Sequence, residues 1–98
     1  MFLKISEQDG SRIVAACDSE LLGQVFEEGG ATLDLKTHEP FFRGEEVDAD
    51  ALREALRDFS SANLVGEECV GVAIKSGLAR KEDVRYIKEI PHLQIYKV

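Results

Sequence analysis

Three side chains near the end of the sequence, His92, Gln94 and Tyr96, are suited to binding a nucleobase. They alternate with apolar residues, so a strand from His92 onwards would place all three on one face. Imidazole and amide groups hydrogen-bond to base edges and an aromatic ring stacks on the base, as in many proteins that bind single-stranded RNA. The same alternation is also typical of the solvated face of an edge strand, and the sequence leaves both interpretations open.

A second candidate site lies mid-chain, in the segment Ser61-Ala-Asn-Leu-Val-Gly-Glu-Glu-Cys-Val-Gly. Asn63 and Gly66 separate two segments with helical periodicity, which predicts a helix-to-helix junction, since both residue types tolerate left-handed backbone. The alternative is an anion site at the free amides where a helix begins at Glu67. The charges of Glu67 and Glu68 oppose a bound anion, and the spacing of a phosphate-binding loop is absent, so we favour the junction.

Four residues are therefore candidates for ligand binding: Asn63, Glu67, His92 and Gln94. An enzyme built on Asn63, Glu67 and His92 would use Glu67 or His92 as general base and would need all three in one pocket. A nucleophilic thiol would have to lie beside a histidine, and the spacing of the two cysteines brings neither close to one. The chain has no zinc-type spacing of Cys and His and no calcium-loop pattern, so we predict neither metal nor cofactor. We favour a protein that is not an enzyme, and we assign no catalytic residue.

The charge of the chain changes sign along its length. Residues 1–74 carry 16 acidic and 6 basic side chains, a net of −10, whereas residues 75–98 carry 3 and 6, a net of +3. The total of −7 argues against a general nucleic-acid binder, because phosphate contacts dominate that affinity. The basic end predicts either ordinary surface charge or a local contact with RNA or an acidic partner. In the second case the candidate contacts are Lys75, Arg80, Lys81, Arg85 and Lys88.

The composition is that of a globular protein. With 98 residues, 44% of them hydrophobic and 32% charged, the chain predicts one domain over 1–98. No apolar run approaches the ~20 residues that cross a bilayer, and the N-terminus lacks the pattern of a secretory signal, so we expect a cytoplasmic protein without membrane contact. The two cysteines, Cys17 and Cys69, would form a disulfide only if the fold brought them together.

The periodicity of the apolar residues predicts an α+β fold. The predicted elements are a strand at 2–7, a strand at 12–17, a helix at 18–30, a strand at 31–36, an irregular segment at 37–47, a helix at 51–59, a second helix at 67–77, a strand at 84–90 ended by Pro91, and a strand at 92–98. This order favours a mainly antiparallel sheet, made of the N-terminal hairpin and the C-terminal strands, with two to three helices packed on one side.

Three segments of the chain resemble a known family. They are Ala16-Cys-Asp-Ser-Glu-Leu-Leu-Gly23 after the first hairpin, the central Ala62-Asn-Leu-Val-Gly-Glu67 and the closing Ile90-Pro-His-Leu-Gln94. The resemblance is to the small archaeal proteins grouped as domain of unknown function family 424, and it spans nearly the whole chain. It implies an archaeal cytoplasmic protein, and it transfers no catalytic residue.

The first functional hypothesis combines this resemblance with the residues. The resemblance is consistent with an RNA-binding or translation-associated module, and its partner would be RNA or a ribonucleoprotein. The first alternative is a protein-interaction or structural subunit that binds a protein partner and no nucleic acid. The third hypothesis is a small enzyme using Asn63, Glu67 and His92. The sequence does not determine the oligomeric state.

Overall fold

The computed structural model describes residues 1–97, which form a six-stranded sheet and a separate two-stranded hairpin. The strands are β1 (Phe2–Gln8), β2 (Ser11–Cys17), β3 (Val25–Glu28), β4 (Ala31–Asp34), β5 (Glu45–Glu46), β6 (Ser61–Val65), β7 (Arg85–Ile87) and β8 (Ile90–Tyr96). The helices are α1 (Glu39–Phe42), α2 (Ala49–Ala55) and α3 (Glu67–Lys75). The six-stranded sheet has the order β5-β1-β2-β6-β8-β7, and within it only the pair β2–β6 is parallel. The predicted α+β class with a mainly antiparallel sheet is confirmed.

The two longer helices, α2 and α3, pack on one face of the sheet, which we call the helix face. The apolar residues of the predicted helix at 51–59 are buried there: Leu52, Ala55, Leu56 and Phe59. Asp48 caps α2, because its Oδ1 accepts a hydrogen bond from the Ala51 amide at 3.0 Å. Helical periodicity therefore identified the helix face correctly.

The opposite face of the sheet, which we call the cleft face, is partly covered by the hairpin β3–β4 and by α1. The buried residues that meet there are Ala15, Cys17 and Val65 from the sheet and Leu33, Leu35 and Phe42 from the cover. The cover extends over one end of the strands only. At the other end of β8, Tyr96 is 72% exposed. The cleft face therefore offers a covered core, an open surface and a boundary between them.

The segment 61–66, predicted to be a helix-to-helix junction, is instead the strand β6 followed by the first turn of α3. β6 lies between β2 and β8, and its residues Ala62 and Leu64 are buried on the helix face while Val65 is buried on the cleft face. A strand of five residues that is buried on both faces shows no clean alternation, so its sequence does not distinguish it from a helical segment. The prediction failed because distant neighbours fix this strand.

The predicted helix at 18–30 is also wrong. A single 3-10 turn at Ser19–Leu21 is followed by the hairpin β3–β4. Gly29 and Gly30, interpreted as the end of a helix, have φ values of +57° and +85° and form the tight turn between these two strands. A pair of glycines with positive φ is a strong hairpin signal, and it outweighs the short apolar periodicity before it.

Pro91 does not end a strand, as predicted, but lies inside β8. The chain reverses at Lys88 and Glu89, which both have positive φ, and Pro91 then pairs with Tyr86 of β7. On the other side, the Pro91 carbonyl accepts a hydrogen bond from the Gly66 amide at 2.9 Å. The Gly66 carbonyl accepts from Val70 in α3, so the sheet requires no amide hydrogen from the proline at this position.

Asp18 holds the start of α3 from a distant part of the chain. Its carboxylate is buried and accepts hydrogen bonds from the backbone amides of Glu68 and Cys69, both at 3.0 Å. A carboxylate in this position satisfies two free amides of the first turn and favours the helix dipole. The anion site considered for this helix is thus occupied by a side chain of the protein itself.

Gly66 makes room for this carboxylate. It precedes α3 with a φ of +106°, and a Cβ atom at this position would overlap the carboxyl group of Asp18. Both the backbone conformation and the space therefore require glycine here.

We predict that Gly66→Ala lowers the free energy of unfolding by about 3 kcal/mol, because the added methyl group meets the buried carboxylate in a strained conformation. The matched control is Gly71→Ala in the same helix, where nothing lies within 4 Å of the added Cβ. That substitution should raise the stability by roughly 1 kcal/mol, because alanine favours the helix. Urea unfolding followed by circular dichroism measures both. Equal stabilities of the two variants would contradict the role assigned to Gly66.

Candidate functional site

A cleft of about 370 Å³ lies at the boundary between the covered and open parts of the cleft face. Its floor consists of the buried side chains Leu33, Leu35 and Phe42. A concave, mostly apolar floor with a few polar groups around it is the usual form of a small-ligand site.

Three of the four predicted ligand-binding residues line this cleft: Asn63, His92 and Gln94. The register of β6 and β8 brings them together, because Asn63 lies opposite Gln94 and Val65 lies opposite His92. Residues opposite one another in an antiparallel pair point to the same face, so one short stretch of two strands delivers two amides and an imidazole. The sequence predicted the shared face of His92, Gln94 and Tyr96, whereas the position of Asn63 depended on the unpredicted strand β6.

Asn63 and His92 are hydrogen-bonded to each other. The distance between His92 Nε2 and Asn63 Oδ1 is 2.9 Å. An amide oxygen only accepts, so Nε2 of the imidazole carries the hydrogen and donates it. This hydrogen bond fixes the orientation of the Asn63 amide. The two hydrogens on Asn63 Nδ2 remain available as donors, and His92 Nδ1 remains available as an acceptor.

The imidazole of His92 is uncharged at neutral pH. Burial lowers its pKa below the ordinary value of 6.5, and the positive charge of Arg85 lowers it further. Arg85 lies directly opposite His92 in the pair β7–β8, which places the guanidinium on the same face of the sheet. The neutral ring is therefore a hydrogen-bonding group and not an anion-binding one.

The wall opposite the sheet comes from the end of β4 and the segment that follows it, which were not predicted as part of the site. Asp34, His38 and Phe41 line the cleft from this side. The Asp34 Oδ1 accepts hydrogen bonds from the amides of Lys36 and Thr37, at 3.0 and 2.8 Å, which bends the chain towards α1. The bonds from Thr37 also hold the pKa of Asp34 below its ordinary value, so the carboxylate stays charged at the rim of the cleft.

Part of this wall could have been found from the sequence, because two of its residues are aromatic neighbours. Two adjacent aromatic residues, Phe41 and Phe42, lie in the segment 37–47 that was predicted to be irregular. Phe42 is buried, while Phe41 is 37% exposed and packs edge-on with it at a centroid distance of 5.2 Å. The partly exposed ring of Phe41 gives the cleft an aromatic surface on which a planar group can stack.

Glu67, the fourth predicted residue, does not join the cleft. It is exposed on the first turn of α3, beside Glu68 and close to Asp48 and Lys75. The enzyme hypothesis required Asn63, Glu67 and His92 in one pocket, and only Asn63 and His92 converge.

The two cysteines do not provide a nucleophile for the cleft. Both are free and buried, and neither lines it. Burial, together with the neighbouring Asp18 carboxylate, raises the pKa of Cys17 to about 11 and raises that of Cys69 as well. Within residues 1–97, no group of three His, Cys, Asp or Glu side chains is arranged to hold a metal ion.

The five basic residues predicted to contact RNA are all exposed but do not form one surface. Lys75 ends α3 on the helix face, where Arg53, Glu67 and Glu68 surround it. Arg80 pairs with Glu82 at 3.8 Å, and Lys81 begins the adjoining 3-10 turn, Lys81–Asp83. Only Arg85 and Lys88 lie on β7 or in the turn that joins it to β8.

No helix within the described part of the chain is both long and apolar enough to cross a membrane.

Comparison with known proteins places the chain in a family. The model of a family described as "Protein of unknown function (DUF424)" matches residues 5–98. The chain belongs to this family. The family resemblance of the three sequence segments is thereby confirmed.

A solved structure is similar to this DUF424 chain over almost its whole length. It is described as the crystal structure of an uncharacterized conserved protein from Methanopyrus kandleri. The two chains are 30% identical, with a TM-score of 0.79, and the match covers 97% of this chain and 89% of the other. No curated protein matches the chain. Neither the description of the family nor that of the similar structure names a function, so the function is inferred from the geometry of the cleft.

The lowered pKa of His92 predicts a pH dependence of stability. The unfolded chain binds a proton at this position near pH 6.5, and the folded protein binds it only at lower pH. The stabilising contribution is therefore complete above pH 6.5 and is lost as the pH falls through the folded-state pKa. Urea unfolding at pH 7.5 and at pH 5.5 measures this effect. We expect the free energy of unfolding to fall more between these two pH values in the wild type than in His92→Gln.

Imidazole proton shifts in NMR spectra provide a direct measurement of the same pKa, with His38→Gln assigning the two histidines. A His92 pKa at or above 6.5 in the folded protein would contradict the environment described here.

Proposed function

We propose that the protein is a small cytoplasmic RNA-binding module that takes single-stranded RNA on the open part of the cleft face. The observation that carries the proposal is the convergence of His92, Gln94 and Tyr96 on one face of β8 beside Asn63. We call these four residues the polar stripe. It combines amide and imidazole groups with an exposed aromatic ring, which is the chemistry that recognises unpaired bases.

Stacking supports the proposal. Tyr96 is 72% exposed and lies on the cleft face beyond the cover, so both its ring and the space beside it are accessible. Alternate residues of a strand are about 7 Å apart, so a base stacked on Tyr96 would have its neighbour near Gln94. Stacking on an aromatic side chain contributes about 1–3 kcal/mol per base and tolerates any base.

The distribution of charge supports the same surface. Arg85 lies on the cleft face next to His92, and Lys88 lies in the adjoining turn. The excess of negative charge, a net of −10, lies in residues 1–74 and repels phosphates, so Arg85 and Lys88 favour an approach of RNA at this edge. With only two cations nearby, affinity should fall only modestly with salt, by a log–log slope of roughly 0.7 per phosphate contact.

A specific observation favours a second candidate, recognition of a protein partner. β7 pairs with β8 only from Ile90 to His92. The backbone groups of Gln94 and Tyr96 that point away from β6 therefore have no strand partner among residues 1–97. An extended segment of another protein could add to this edge. The edge exposes only a few backbone groups, whereas the polar stripe also offers side-chain chemistry, so we place RNA first.

The RNA proposal predicts the effect of two substitutions. Tyr96→Ala removes the stacking ring and should weaken binding of a fluorescein-labelled ten-nucleotide single-stranded RNA by about tenfold, measured by fluorescence anisotropy at low salt. Arg85→Glu reverses the charge beside the polar stripe and should weaken it at least as much.

Matched controls exist on the same molecule. Tyr86 is 60% exposed, but it points to the other face of β7, and Lys75 is a cation on the helix face. Tyr86→Ala and Lys75→Glu should leave the affinity within about twofold of the wild type. Equal losses in all four variants, or no binding by the wild type, would overturn the proposal. Binding of RNA by the wild type with unchanged affinity in Tyr96→Ala and Arg85→Glu would overturn the assigned surface.

A further inference from the structure

The cleft at the end of the polar stripe has properties that the open surface lacks. Its volume of about 370 Å³ is near the lower limit for ligand clefts, so it suits a group of one or two rings and not a whole dinucleotide. Its apolar floor of Leu33, Leu35 and Phe42 removes the flat faces of such a ring from water. The exposed ring of Phe41 stands at the same cleft.

The hydrogen-bonding groups of the cleft are fixed in direction. His92 holds the Asn63 amide by its oxygen, at 2.9 Å, so the two hydrogens on Asn63 Nδ2 are left for a ligand. The second amide, that of Gln94, is exposed and supplies one more donor and one more acceptor. Nucleobases present donors and acceptors side by side along their edges, and side-chain amides match such edges with paired hydrogen bonds.

The charge of the cleft selects against anions. No lysine or arginine of the described chain lines it, and the charged Asp34 carboxylate stands at its rim. A phosphate or carboxylate would meet this negative charge with no lysine or arginine inside the cleft to offset it. The group that enters is therefore neutral, while Arg85 stands outside beside the polar stripe, where a phosphate could lie.

We propose that the cleft binds a single unstacked nucleobase, inserted between the sheet and the segment after β4. This inference rests on the proposed RNA function, and it makes the recognised RNA one with an unpaired base that can turn out of its stack. Asn63 and Gln94 read the edge of the base, and His92 acts as a positioning residue that orients the Asn63 amide. The phosphates on either side of the base remain on the open surface.

The test separates the contribution of the base to the affinity from that of the sugar-phosphate backbone. The probes are an RNA pentamer whose central residue carries 2-aminopurine as its only base, a base-free pentamer of the same length, and free 2-aminopurine riboside. Fluorescence of the base and anisotropy of an end label measure the affinities. The wild type should bind the single-base pentamer at least about tenfold more tightly than the base-free one.

Asn63→Asp is the informative variant. It is nearly isosteric and keeps an acceptor for His92 Nε2, but it removes the two amide hydrogens and adds a negative charge. Gln94→Ala is the second variant, and its exposed position makes it safe for folding. Both should reduce the advantage of the single-base pentamer to less than about threefold. The control is Gln8→Ala, an exposed glutamine at the end of β1 that does not line the cleft.

Each outcome decides a separate point. Equal affinity of the wild type for both pentamers, or a full advantage retained in Asn63→Asp and Gln94→Ala, would overturn the nucleobase cleft. If the ten-nucleotide RNA still bound in a Tyr96-dependent manner, the proposed RNA function would survive that failure. Saturable binding of the riboside, lost in Asn63→Asp, without binding of any oligonucleotide would support the nucleobase cleft and overturn the RNA function.

Discussion

The contact between the buried Asp18 carboxylate and the first turn of α3 connects the parts of this structure that matter most. Asp18 follows β2, and its own amide donates to the carbonyl of Val65 at the end of β6. Its side chain caps the helix that follows β6. Asp18 thereby aligns the parallel pair of strands with the start of the helix. Position 66 must be glycine, because any side chain there would overlap the Asp18 carboxylate. A buried carboxylate without these two amides would carry a large desolvation cost, so the capped arrangement is strongly favoured over any other.

The two faces of the sheet differ in how completely they are covered. On the helix face, α2 and α3 cover the apolar side chains of the strands. On the cleft face, the cover formed by the hairpin β3–β4 and α1 stops short, and the strands continue beyond it with polar residues. A cleft forms where the cover ends, because the apolar floor and the polar ends of the strands meet there. The same arrangement places His92 at an intermediate depth. Burial there lowers the pKa of its imidazole, while the ring still lines the cleft.

The cleft is lined mostly by apolar side chains and by neutral hydrogen-bonding groups, so the proposed binding of RNA by this acidic chain does not depend mainly on phosphate contacts. The total charge of −7 opposes nonspecific binding to phosphates. Binding would then depend on stacking and on hydrogen bonds to a base, with a small local contribution from Arg85. An RNA-binding module of this kind would bind duplexes weakly and would select unpaired bases.

The sequence by itself determined the first hairpin, the stripe of α2, the shared face of His92, Gln94 and Tyr96, and the family to which the chain belongs. These features depend on local periodicity, on turn residues or on motifs that can be read over a few positions. Only the tertiary structure decided that Ser61–Val65 is a strand, that Asp18 caps a helix 50 residues away, and that Asn63, His38 and Phe41 meet His92 in one cleft. Each of these depends on pairing between distant segments, and a short buried strand carries no periodic signal of its own. The candidate site was predictable where one strand supplies it and unpredictable where several segments converge.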